Sequence, residues 1–277
     1  MTIITSTIPA PSGPHYRLGS VMRSEFTKLR SVRSTTWTLL LTIVFTIGIG
    51  VIATLTASAH WSHDSLANRL TFDPTNLSLV GLVIGQLTIG ILGVMVITAE
   101  YGTGTIRSSL AAVPNRRMFL AAKVATFALV TLVIGEIVSF AAFFIGQAML
   151  FNPVPHATIG QPGVLRAVVG GGLYLTLLGL LAVGMGTIIR HTAGALAAFV
   201  GILFIIPALM GAFPTSVQNA ISKFEPVSIG DAMSTVNTHV ASGTTPSLSP
   251  WIGMVVLALY AAVALGFGAW RLLRRDA

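Results

Sequence analysis

The chain has no cysteine and very little charge. Without a thiol it can form no disulfide, no thiolate zinc site and no nucleophilic cysteine. Only 9% of its 277 residues are Asp, Glu, Lys or Arg, against roughly a quarter in ordinary soluble domains. So few charges cannot solvate a globular surface, which points to an outer surface that faces lipid. Lysine is scarcer still. The three lysines, Lys28, Lys123 and Lys223, are followed by Leu, Val and Phe. A phosphate-binding P-loop needs Gly-Lys followed by Ser or Thr, so that the lysine reaches the phosphates. This chain has no such run, so any ATP that drives it must bind another chain. The apolar stretches also lack paired acids and His–carboxylate pairs, which speaks against a membrane enzyme. His60, His63 and Asp64 are too weak a pattern for a metal site and are expected to lie in a solvated loop.

What the chain has is apolar length: 53% of its residues are hydrophobic. A spanning helix takes about 20 apolar residues. Uncharged stretches place six spans, at about 37–57, 79–99 and 118–150, between Arg166 and Arg190, and at about 193–213 and 251–270. The third is long enough to tilt or to project from the bilayer. Trp251 and Trp270 stand ~28 Å apart along a helix and read as anchors at the two interfaces. Residues 1–16, rich in Thr, Ser and Pro, are expected to be a disordered tail, with 17–277 forming a single six-span domain. The turn at 190–192 makes spans four and five antiparallel neighbours. The long connection from 214 to 250 carries two short apolar–polar patterns, around 217–221 and 227–233, that suggest re-entrant or surface helices. Gly81-x-x-x-Gly85 and Gly170-Gly-Gly172 read as close helix contacts, and Pro207 as a kink in span five.

The basic residues set the orientation. With the N-terminus inside, thirteen of the sixteen Lys and Arg fall on inner segments, and Arg69, Arg166 and Lys223 on outer loops. Both termini are therefore expected in the cytoplasm. This distribution explains the net charge of +8 without nucleic acid as a partner.

Two segments stand out at the inner face. In residues 18–34, Leu18, Val21, Met22, Phe26 and Leu29 share one helical face, while Arg23, Thr27, Lys28 and Arg30 lie on the other. This is either an amphipathic helix lying in the membrane surface or a plain positively charged flank. Residues 100–117 follow span two. Gly102 and Gly104 let the chain turn, Thr103 or Thr105 can cap a short helix, and Pro114 ends it. Ile106, Leu110 and Val113 form an apolar face beside Arg107, suited to docking a soluble partner.

The runs Arg23-Ser24-Glu25-Phe26-Thr27-Lys28-Leu29-Arg30 and Glu100-Tyr101-Gly102-Thr103-Gly104-Thr105-Ile106-Arg107 resemble the corresponding segments of actinobacterial ABC exporter permeases of the second (ABC-2) type. With six spans and a long last outer loop, the resemblance covers residues 17–277. It implies an all-α membrane protein of the bacterial cell membrane that exports a hydrophobic or amphipathic compound. The first helix, with Arg23, Glu25, Phe26, Lys28 and Arg30, would be a connecting elbow. The segment Glu100–Arg107 with Leu110 would couple to a cytoplasmic ABC ATPase. ATP and Mg would bind that partner, and none on this chain. A second permease subunit, identical or not, would complete the unit. Re-entrant helices would lie between spans five and six. The Phe26 position is often Trp in such relatives.

Glu136 is the one carboxylate read within a span. A charge there is expensive and should face the protein interior or a water-filled path. Phe140, Phe143 and Gln147 continue its helical face and could line a substrate route. A protonated Glu136 bonded to a neighbouring helix is the structural alternative. Gln86 and Thr88 in span two are weaker candidates. If Glu136 carried protons, the chain would be a secondary transporter. The lack of an internal repeat makes that less natural, and a docking segment would then serve no purpose.

The orientation is testable by labelling. Cysteines placed at Ser65 and Thr158 should react with an impermeant thiol reagent added to intact cells, and cysteines at Ser109 and Thr192 should not. The opposite pattern would reverse the topology.

Overall fold

The computed structural model describes residues 17–236 and 247–274. The expected tail, 1–16, lies outside them. Among the described residues every regular element is helical, and six helical stretches are long and apolar enough to cross a membrane. The protein is a multi-pass membrane protein.

A surface helix α1 (Leu18–Ser31) leads into α2 (Arg33–His60), the first span. A short helix α3 (Leu66–Leu70) follows, and the second span comes in two pieces, α4 (Pro74–Leu79) and α5 (Leu82–Gly102). After it come α6 (Thr105–Ala112) and the long third span α7 (Arg116–Ala148). The fourth span is α8 (Val164–Ile189). The fifth is α9 (Thr192–Val200) and α10 (Ile206–Met210), joined through a π-helical turn. Two short helices, α11 (Thr215–Ile221) and α12 (Pro226–Ser234), precede the last span, α13 (Pro250–Arg274).

Helix boundaries run past the apolar stretches because the backbone keeps its hydrogen bonds after the hydrocarbon ends. Thus α2 starts at Arg33 and α5 continues to Gly102. The break between α4 and α5 is one that hydropathy cannot see, since both sides are apolar. It falls where Gly81 lies directly against the Thr46 backbone of α2, leaving no room for a side chain. In the fifth span the π turn covers Gly201–Ile205. Pro207 has no N–H to give, and its ring would crowd the Leu203 carbonyl in a regular helix; the wider turn accommodates it. The irregularity in span five is therefore a π-helical turn, one turn before the proline.

Helix α8 is the centre of the bundle, with α5, α7 and α13 packed along it. Small residues let these helices approach closely. A Cβ on Gly93 would lie 2.5 Å from the Gly179 carbonyl oxygen, and one on Gly135 2.9 Å from that of Gly172. Gly171 faces Ser139, whose hydroxyl donates to the Val168 carbonyl at 2.6 Å. The Gly170–Gly172 run is thus a contact seam, as in other membrane bundles where van der Waals packing drives association. By contrast α2 and α13 present rows of exposed apolar side chains, including Val44, Ile52, Val255 and Phe267. Trp251 and Trp270 are exposed at the two ends of α13.

The end opposite α1 is fastened by polar contacts. Asp73 caps α4 through the amides of Thr75 and Asn76 and accepts from the Val236 amide at 2.6 Å. Asn76 donates to Asp231, Ser234 and Thr235 of the α12 segment. Helix α12 buries Ile229 and Met233 against the core, and Met233 fills the space left by Gly170.

Candidate functional site

The most unusual chemistry in the bundle lies at the other end, where α1, α5, α6 and α7 meet. Helix α1 crosses α7, and the Thr126 hydroxyl donates to the Met22 carbonyl at 3.3 Å. The face it turns inward contains Val21 and Glu25, both buried; Glu25 is only 4% exposed. Phe26 and Leu18 face outward. The one acid of α1 therefore points into the protein.

Glu25 is buried because two lysines meet it there. Lys123 of α7, 3% exposed, donates to Glu25 Oε2 at 2.5 Å and to Glu100 Oε1 of α5 at 2.9 Å. Lys28, one turn along α1 from Glu25, donates to Glu25 Oε1 at 2.7 Å and to Glu100 Oε1 at 3.1 Å. Its third donor reaches Ser109 Oγ of α6 at 3.1 Å. Both ammonium groups lie over the ring of Phe119, one turn before Lys123, at 5.8 and 5.3 Å from its centre. Two acids and two lysines thus cancel in charge, and the four side chains tie three helices and α6 into one unit. Lysine suits this role because its ammonium is a compact charge with three donors that can be shared between carboxylates.

The electrostatics follow from this arrangement. Burial works to raise the Glu25 carboxyl, but Lys123 and Lys28 outweigh it and hold the group below its ordinary value. Burial works to lower Lys28, but Glu25 and Glu100 outweigh it and hold the ammonium above its ordinary value. One oxygen of Glu100, Oε2, is buried without a hydrogen-bond partner among the described residues.

The sequence motif after span two is built around this cluster. Gly102 closes α5, and Gly104 adopts a left-handed conformation with φ 72°, which favours glycine. Neither Thr103 nor Thr105 caps α6, contrary to expectation; their hydroxyls bond each other at 2.9 Å, and Thr103 donates to the Ala99 carbonyl. The apolar face expected to dock a partner is also partly corrected. Ile106 is 2% exposed and anchors α6 to its own bundle, and Leu110 is half-buried. The surface left open carries Thr105, Arg107, Ser108 and Ala111. Tyr101 is covered by the Arg190 guanidinium, 5.1 Å from its ring. Arg190 and Arg271 donate to the carbonyls of Arg271 and Ile188 at the last turns of α13 and α8, where cations complement the helix dipole.

The residues proposed for a translocation path are not brought together as one lining. Phe143 is buried in the core. Gln147 uses both amide hydrogens, on the Pro74 carbonyl and Ser78 Oγ, and its oxygen accepts from the Ala157 amide at 2.7 Å. It fastens α7 to α4 rather than facing a route. Gln86, fully buried in α5, accepts from the Tyr174 hydroxyl. Phe140 is half-buried and stacks on Phe144. Glu136 is half-buried against Gly172, with Oε2 unpartnered among the described residues. Lys123 is the site residue that sequence reasoning missed, since it was counted only as an inner-face charge.

The sequence model of the family described as ABC-2 family transporter protein matches residues 21–207, a stretch that includes the whole cluster. No curated protein matches the chain.

The cluster predicts an acid sensitivity. Because the Glu25 carboxyl is held below its ordinary value of 4.5, its contribution is complete above pH 4.5 and is lost as pH falls through the lower folded-state value. Thermal unfolding of the purified protein, followed between about pH 6 and pH 3, should show a steeper loss of stability on acidification for the unaltered protein than for Glu25→Gln. Parallel curves would mean that Glu25 is not held by the two lysines.

Proposed function

The chain belongs to the ABC-2 family of transporter proteins, and from that premise we propose that it is the permease subunit of an exporter driven by a separate ABC ATPase. Its cargo is a hydrophobic or amphipathic compound, and its basic end is the cytoplasmic one. ATP and Mg bind the ATPase partner; this chain, with no P-loop run, supplies no catalysis. A second permease subunit completes the complex.

The observation that carries this reading is the connection from α6 inward. An ATPase can drive transport only through contacts that move with its nucleotide cycle. Helix α6 offers an exposed surface at the basic end, while Lys28 and Glu100 behind it join it to α1 and α7. A push on α6 is thereby delivered to two spans and to the surface helix together. The half of α6 that faces its own bundle, through Ile106, keeps it seated. Family membership favours this reading over a proton-driven carrier based on Glu136.

The test targets the open face of α6. Ser108→Trp and Ala111→Trp place bulk on it without touching the buried cluster. In complexes purified from native membranes, each should lower the co-purifying ATPase activity about tenfold, the equivalent of ~1.4 kcal/mol of binding, while the permease still inserts. Ser65→Trp at the other end should leave it unchanged. Full ATPase recovery with both α6 variants would reject this docking face. Ile106→Asp should instead reduce the amount of folded permease, because it puts a charge into the chain's own interior.

A further inference from the structure

An open cleft of about 680 Å³ lies between α1 and α2, beside α7. Its size falls in the range of sites that bury small molecules. Its walls are apolar, formed chiefly by Phe26, Trp37, Leu40 and Ile43, and Arg30 and Arg33 line it at the α1–α2 junction. Both arginines are exposed, and among the described residues neither makes an ion pair or a side-chain hydrogen bond. From Arg33 to Ile43 the cleft follows α2 for ~15 Å. Two cations at one end and a long apolar track at the other match the two ends of a phospholipid.

We propose that this cleft binds one anionic phospholipid, with its phosphate between Arg30 and Arg33 and an acyl chain along Trp37, Leu40 and Ile43. Among the described residues the charge inventory favours a lipid over a second copy of the chain. Only two described carboxylates lie at this end, Glu25 and Glu100, and both are spent on Lys28 and Lys123. Asp64, Asp73 and Asp231 belong to the opposite end, Glu136 lies midway along α7, and Glu225 lies between the fifth and sixth spans. A neighbouring copy therefore has no described free acid to set against the two guanidiniums, whereas an anionic headgroup supplies the missing charge. Basic pockets beside membrane helices bind such headgroups, and arginine's planar fork suits phosphate. The site is independent of how the protein is powered.

Trp37 is the reporter. The full chain, with Trp251→Phe and Trp270→Phe to darken the other exposed indoles, is placed in phosphatidylcholine bilayers containing brominated phosphatidylglycerol or brominated phosphatidylcholine. Bromine quenches an indole that it touches. Phosphatidylglycerol should quench Trp37 with a relative binding constant about tenfold higher than phosphatidylcholine. Arg30→Gln with Arg33→Gln should abolish that preference, and Arg30→Lys with Arg33→Lys should keep most of it. Equal quenching by both lipids, or a preference that survives the double Gln variant, would overturn the proposal. So would a Trp37 shielded from both lipids together with a disulfide between copies carrying Leu40→Cys, because a second subunit would then fill the cleft.

Discussion

Burying an ion costs several kcal/mol even after relaxation, and this bundle buries two of the four charges it brings together at one end. Glu25 and Lys123 leave water only because each finds an opposite charge within hydrogen-bond reach, with the part-buried Glu100 and the half-exposed Lys28 closing the set. The arrangement has a consequence beyond neutrality. Each acid meets both lysines, so the loss of any one residue leaves an unbalanced charge among the other three; α1, α5 and α7 are thereby held in one relative position, and α6 is drawn in through Ser109. The surface helix, two spans and the short helix between them therefore form a single mechanical piece.

The rest of the bundle has a different character. The seams that α5, α7 and α13 share with α8 are made of glycine and alanine, where backbones nearly touch. Such seams resist deformation because no side chain can adjust across them. At the far end, Asp73, Asn76 and Gln147 bind the α4, α7 and α12 segments together. What is left open is the apolar flank of α2 and α13 and the cleft beside α1. The structure is thus rigid through its centre and available to lipid or to a partner along its side, a division that suits a transport component working within an assembly.

The six spans were legible because apolar stretches of membrane length, broken by charge, leave a signal that needs no tertiary information. The helix pair before the last span and the close-packed glycines were legible for similar local reasons. The misses arose where long-range contacts decide. Periodicity put Ile106 on a docking face, because a helix wheel cannot say which side meets the bundle. Lys123 was taken as a marker of topology, yet it sits 98 positions from the Glu25 that it neutralises. A signal was present. Thirteen of the sixteen basic residues are arginine, and two of the three lysines lie in the cluster, with the only two acids that the sequence places near the inner face before Asp276. Gln147 and Phe143 were correctly placed on Glu136's helical face, but sharing a face did not mean sharing a path.

The central claim is that the cluster acts as a unit, and a double-mutant cycle on Lys123 and Glu100 tests it most directly. Lys123→Met, Glu100→Gln and the pair together are compared by chemical unfolding of the purified protein. If the charges are mutually dependent, the double variant loses less stability than the two single losses combined, by about 1 kcal/mol or more. If the losses add to within about 0.3–0.5 kcal/mol, the two residues do not depend on each other, and the account of a single piece joining α1, α5 and α7 is wrong.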